Sequence, residues 1–283
     1  NIEMETIHML RQLFGLSENF SGAFTSGATM SNFAGLAMAR EWVGRQFNKN
    51  ISQEGLHSIA PIKVLSSEAH SSSFKALAML GIGRGNMKVI SKLNGNREAM
   101  DISALKIALA ELKGEPCIVI ANAGTVNTVD FDDLQEISHL KSEFKFWLHV
   151  DAAFGGFAAC SPKYAHLLNG INSADSITVD AHKWLNVPYD SAMIFTKHRD
   201  LQISVFQNSG AYLGEIAEPV DFIHLVPENS RRMRALPAWF SLNAYGLAGY
   251  QDIVERNCLM AQKLGEMIEA SNMFHLVAPV RLN

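Results

Sequence analysis

Four short polar clusters carry the reactive side chains of this sequence. They are Ser66-Ser67-Glu68-Ala69-His70, Asn122-Ala123-Gly124-Thr125, His149-Val150-Asp151 and Asp180-Ala181-His182-Lys183, and each closes an apolar, strand-like run. Lys183 offers an amine that can condense with an aldehyde. Asp151 offers a carboxylate that can hold a proton on a ring nitrogen, and His70 offers a flat ring to lie over another. Upstream, the turn Thr25-Ser26-Gly27-Ala28-Thr29 leads into a helical pattern, and backbone N–H groups at a helix start receive anions. Singly, each feature has an ordinary reading. A lysine after a strand is usually solvated, an aspartate at a strand end is often a helix cap, and a Gly/Ser/Thr run is commonly a turn. His70 could be a satisfied polar residue at the core edge. The stripe Phe33, Leu36 and Met38 reads as core.

Placing these groups together requires a particular scaffold. Ile7, Leu10, Leu13 and Phe14 recur at helical spacing. Residues 30–47, 72–80, 102–112 and 132–141 also read as helices. Strand-like runs fall at 62–65, 87–90, 117–120, 146–150, 176–179 and 192–195. From Arg231 to about Ala270 the pattern is helical, with a break expected near Gly249, and 274–277 reads as one more strand. Strands alternating with helices imply an α/β fold, a mostly parallel sheet covered by helices on both faces. In such a sheet ligands gather at the carboxyl ends of the strands, where the four clusters lie. The expected division is a large domain over 1–250, then a linking helix and the start of a smaller α/β domain over 251–283. The chain opens in a helical pattern without an initiator methionine and stops in a strand-like one, so a piece of a longer protein is expected.

Bulk composition narrows the class. Hydrophobic residues make up 48% of 283, enough for a sizeable core without staples. With 18% charged residues, a net charge of −4 and no dense Lys/Arg run, nothing favours nucleic acid. Cys117, Cys160 and Cys258 are scattered and odd in number. That argues against a disulfide framework or a metal site and for a reducing, cytoplasmic setting. No apolar run reaches the roughly 18 residues of a membrane span, and the N-terminus is not a signal peptide.

An amine, a carboxylate, an anion turn and a stacking ring are together the partners that pyridoxal 5′-phosphate (PLP) needs. The sequence resembles the group II PLP-dependent amino-acid decarboxylases, the family of the aromatic-L-amino-acid, histidine and glutamate enzymes. The resemblance runs over essentially the whole chain. Its carriers are Leu148-His149-Val150-Asp151-Ala152-Ala153, Ala165-His166-Leu167-Leu168-Asn169-Gly170, Ala174-Asp175-Ser176, Ala181-His182-Lys183-Trp184 and Arg231-Arg232-Met233-Arg234. The segment Ala69-His70-Ser71-Ser72 and the Gly124-Thr125 turn match too.

The resemblance implies the large domain of a fold type I PLP-dependent transferase. It also implies a homodimer with its active site at the subunit interface. Lys183 is then the lysine that binds the cofactor's aldehyde, and Asp151 the partner of the pyridine nitrogen. Ala153 packs on the ring face opposite His70, and Ala28 and Thr29 bind phosphate. His182 lies beside phosphate and lysine, and Thr125 near the ring hydroxyl or the substrate carboxylate. His70, His182, Lys183 and Asp151 are the candidate catalytic residues.

Two positions depart from the family pattern. Asp180-Ala181 stands where animal members carry Asn-Pro, and a carboxylate there would repel phosphate unless paired or protonated; it could instead orient a neighbour. Phe222 falls nine residues before Arg231, where the family's mobile-loop tyrosine usually sits, and Tyr212 is the nearest preceding tyrosine.

The implied activity is decarboxylation of an L-amino acid to the amine and CO2. A tyrosine-to-phenylalanine change would favour oxidative deamination to an aldehyde instead. A catalytically silent binding protein is disfavoured by the intact Lys183–Asp151 pair, and an aminotransferase by the His-Lys motif. Trp184 leans toward the aromatic branch.

Overall fold

The computed structural model describes residues 1–208, 216 and 220–283. Seven strands form one sheet in the order β1-β7-β6-β5-β4-β2-β3. They are β1 (Ser21–Thr25), β2 (Val64–Ser66), β3 (Met87–Val89), β4 (Cys117–Asn122), β5 (Phe146–Asp151), β6 (Ser176–Val179) and β7 (Ala192–Thr196). β3, β2, β4, β5 and β6 are mutually parallel, and β7 runs antiparallel to both of its neighbours, β6 and β1. The helices are α1 (Ile2–Leu13), α2 (Ala28–Gln46), α3 (Ile51–Glu54), α4 (Ser71–Met79), α5 (Ile102–Glu111), α6 (Leu134–Leu140), α7 (Ala181–Trp184), α8 (Arg199–Phe206) and α9 (Ala235–Ala270).

β4 and β5 are buried at every residue, which is why their sequences read as continuous apolar runs rather than alternations. Side chains still alternate between the faces. Leu148 and Val150 enter the core that contains α1, α6 and α9 residues, whereas Trp147 enters the core built on α2 and α4. Each fully buried large apolar side chain contributes about 1.5–3 kcal/mol. The same alternation turns His149 and Asp151, two and four residues beyond Trp147, toward α2. That helix is buried on nearly all sides because it lies on the sheet and also packs against α4 and α8.

Besides the unanticipated helices α3, α7 and α8, the strand β1, the last helix and residues 274–277 differ from the sequence expectation. β1 was not anticipated, because Ser-Gly-Ala-Phe-Thr has no β-branched run to announce a strand and is extended through its pairing with β7. The break in the last long helix lies at Gly246, not Gly249; Gly246 takes φ 58° and ψ −175°, and the helix begins at Ala235 rather than at Arg231. Residues 274–277 form no strand. Phe274 and Val277 are 62% and 78% exposed, and among the described residues no strand pairs with this stretch. Among the described residues no helix is long and apolar enough to cross a membrane.

Candidate active site

The carboxyl ends of β2, β4, β5 and β6 open on one side of the sheet, where the N-termini of α2 and α4 also arrive. Together they wall a cavity of about 930 Å³. The nine positions expected to hold the cofactor all line it: Ala28, Thr29, His70, Thr125, Asp151, Ala153, Asp180, His182 and Lys183.

Lys183 sits on the single turn α7, directly after β6, with its side chain 37% exposed and Nζ 3.6 Å from Asp180 Oδ2. The His182 Nδ1 accepts the Ser191 N–H at 3.2 Å, and its ring stacks on Tyr189 at 4.0 Å. The other nitrogen, Nε2, lies 3.1 Å from Asp180 Oδ1, yet that oxygen has no hydrogen bond. The Ala28 N–H at the start of α2 also stabilises the charged form of Asp180. Burial raises its pKa, and His182 and Lys183 oppose that shift. One buried carboxylate thus lies 3.1 Å from the histidine and 3.6 Å from the lysine.

Asp151 is the last residue of β5. Its Oδ2 accepts from Asn32 Nδ2 at 2.8 Å and its Oδ1 from the Ala153 N–H at 3.2 Å. His70 caps α4, with Nδ1 accepting the Ser72 N–H, and its side chain is open to the cavity. Thr125 reaches the wall but turns its hydroxyl away. It donates to Glu98 and accepts the Asp130 N–H at 2.9 Å, so the hydroxyl ties the loop after β4 to the one between β3 and α5. Phe222 does not line this cavity. It is buried with Val220 and Leu225, 5.2 Å beneath the Arg231 guanidinium, and faces a separate hollow beside α1. Tyr212 lies outside the described residues.

Asn32, Ser72 and Ser176 were missed as contributors. Asn32 and Ser176 leave only a weak trace, a polar residue inside an otherwise apolar element. Among the described residues no cluster suited to a metal ion occurs.

The donor set fits PLP. α2 starts at Gly27 with no side-chain cap and no acidic residue in its first turn, so apart from Asp180 near the Ala28 amide its N-terminal end faces the cavity as an anion site. Thr29, Lys183 and Asp151 line the same cavity, supplying a hydroxyl, an amine and a ring-nitrogen partner. A mostly parallel sheet with these groups at its carboxyl edge defines a PLP-binding α/β domain.

Comparison with known proteins is consistent with that class and narrows it. The model of the pyridoxal-dependent decarboxylase conserved domain matches residues 1–283, and the chain belongs to that family. It is 30% identical over 288 residues to an aromatic-L-amino-acid decarboxylase of Bacillus atrophaeus, covering 99% of this chain and 58% of the relative. It is likewise 30% identical to an aspartate 1-decarboxylase of Aliivibrio fischeri, over 99% of this chain and 55% of the relative. Among solved structures, mouse CSAD superposes with a TM-score of 0.85 at 27% identity, over 95% of this chain and 56% of that one. Oryza sativa TDC with PLP and tryptamine has the same fold, at a TM-score of 0.90 and 24% identity, over 98% of this chain and 59% of that one. The chain therefore spans somewhat over half the length of the curated relatives it matches.

Proposed function

We propose that the full-length protein is a PLP-dependent carboxy-lyase that converts an L-amino acid to the amine and CO2. The observation that carries this reading is the convergence of Lys183, Asp151, His70 and the uncapped start of α2 on one cavity. Bound there, PLP supplies an electron sink for the charge left on Cα when CO2 departs. Lys183 Nζ binds the cofactor's aldehyde carbon, and Ala28 and Thr29 hold the phosphate. Asp151 would keep the proton on the ring nitrogen, with His70 and Ala153 placed to hold the two ring faces. Asp180 holds the lysine and the histidine beside the α2 amides. His182 and Lys183 are the groups placed to return a proton to Cα.

The substrate is a free L-amino acid, and the protein acts as a cytoplasmic homodimer whose interface carries the site. The dimer follows from the family resemblance. The cytoplasmic setting is supported by three unpaired, buried cysteines. Oxidative deamination draws no support from Phe222, which packs away from the cavity. The test is a screen of amino acids against the full-length protein with PLP, following CO2, amine and oxygen. Amine and CO2 in equal amounts without oxygen uptake are expected; keto acid or aldehyde would replace this reading.

A further inference from the structure

Behind the cavity wall, buried polar groups join β5, β6, α2 and α4. Trp147 Nε1 donates to Ser176 Oγ at 2.9 Å, and Ser176 Oγ lies 2.7 Å from His149 Nδ1. His149 Nε2 is 3.0 Å from Asn32 Oδ1. Asn32 Nδ2 donates both to Asp151 Oδ2 at 2.8 Å and to Ser72 Oγ at 3.1 Å. Ser72 Oγ lies 2.8 Å from His70 Nδ1.

Both ends of this chain are chemically one-way, so its direction is fixed. The indole N–H can only donate and an ionised carboxylate can only accept. Facing Asp151, Asn32 must present its NH2; the flipped amide would set a carbonyl oxygen against a carboxylate. Its Oδ1 then faces His149 Nε2, which must carry the proton. In the neutral ring Nδ1 is bare and accepts the Ser176 hydroxyl, which itself accepts from Trp147. Burial favours that neutral form, lowering the His149 pKa against the pull of Asp151. On the other branch Ser72 Oγ accepts from Asn32; His70 Nδ1 accepts the Ser72 N–H and is therefore bare, so the Ser72 hydroxyl donates to the same nitrogen. The ring proton of neutral His70 is left on Nε2, which has no hydrogen-bond partner among the described residues. One arrangement satisfies every member, and buried groups left unsatisfied are costly.

Packing preserves the same register. Gly35 lies one turn after Asn32 on α2, and a Cβ there would come within 2.6 Å of the His149 ring. Only without a side chain at 35 can α2 lie close enough for Asn32 to meet His149.

We infer that Asn32 is a positioning residue, the branch point of one directed hydrogen-bond chain that starts at Trp147 and fixes both the Asp151 carboxylate and the ring proton of His70. This rests on the PLP reading for its consequence: one amide sets the group at the pyridine nitrogen and the group over the ring together. His149, Ser176 and Trp147 orient Asn32 from behind without touching the cavity.

The test has two arms, both on the full-length protein. In the cofactor-free form, long-range ¹H–¹⁵N spectra of the histidine rings are recorded, with His70 and His149 assigned by His70→Gln and His149→Gln. Both rings are expected as the Nε2–H tautomer, and an Nδ1–H signal from either overturns the chain. In the holoenzyme, Asn32→Leu and His149→Phe are loaded with PLP labelled at the pyridine nitrogen. The ¹⁵N signal is expected to move toward its unprotonated position in both. In Asn32→Leu, kcat is expected to fall about tenfold, as for other groups that orient a ligand from behind, with KM little changed. A purely structural role would lower the yield of folded protein and leave the signal of the loaded fraction in place, and that result refutes the inference. Because the tautomer arm needs no cofactor, a protein that fails to bind PLP would defeat the proposed function and leave the relay to be judged by its tautomers.

Discussion

Replacing Asp151 by asparagine changes one oxygen to an NH2 group and should reveal two separable effects. Each carboxylate oxygen now accepts one N–H, Oδ2 from Asn32 and Oδ1 from Ala153. An asparagine can satisfy only one of these donors, whichever way its amide is turned. The other would face an NH2, donor against donor, at a residue only 8% exposed. A buried polar group left unmatched costs about 1–3 kcal/mol. For a domain of about this size each kcal/mol lowers the melting temperature by about 2–4 °C, so the cofactor-free variant should melt about 2–12 °C lower. The second effect appears only with PLP. Losing a charge-assisted bond to the ring nitrogen costs about 1.5–3 kcal/mol, or cofactor affinity about 10–150-fold weaker. Turnover of the saturated variant should fall further, since a neutral ring is a poorer electron sink. Thermal unfolding by circular dichroism reads the first effect and PLP titration by fluorescence the second. An Asp151→Asn protein with melting lowered but PLP affinity and turnover within a factor of about two of wild type would refute the assignment to the ring nitrogen.

Three further outcomes follow from the same geometry. Lys183→Ala should lose the visible band of the bound cofactor and covalent fixation by borohydride, checked by mass spectrometry of the reduced protein; retained label elsewhere would reassign the lysine. Burial depresses the pKa of His149, so the unfolded chain binds more protons than the folded one once pH falls below about 6.5; stability should be full above that value and decline on acidification, and urea titrations should show a shallower decline in His149→Gln. Phe222→Ala should destabilise by about 3–5 kcal/mol as a buried aromatic truncation, whereas Phe222→Tyr should leave the product and oxygen consumption unchanged in an oxygen-electrode assay.

The sequence carried most of the scaffold because parallel strands buried on both faces, such as β4 and β5, read as unbroken apolar runs bounded by polar clusters. Those clusters mark strand ends, and strand ends in this sheet are where ligands sit; Asp151 and Lys183 were legible for that reason. Features set by a partner elsewhere in the chain were not. β1 is a strand because β7 lies beside it, and residues 274–277 are not a strand because no strand among the described residues pairs with them. The role of Asn32 depends on how closely α2 crosses β5, which is governed by Gly35 against the His149 ring, a relation between elements far apart in sequence. Nothing local to Thr125 announces that its hydroxyl bonds Glu98, which lies in a different loop. Gly246 and Gly249 differ in backbone angles that composition does not reveal.

The most direct test is product analysis with the purified full-length protein, PLP and carboxyl-labelled L-amino acids, run beside Lys183→Ala. Labelled CO2 and one equivalent of the amine from at least one amino acid, abolished in the variant, are expected. Release of no CO2 from any amino acid by a fully PLP-loaded protein, or equal release by Lys183→Ala, would contradict a lysine-bound PLP decarboxylase.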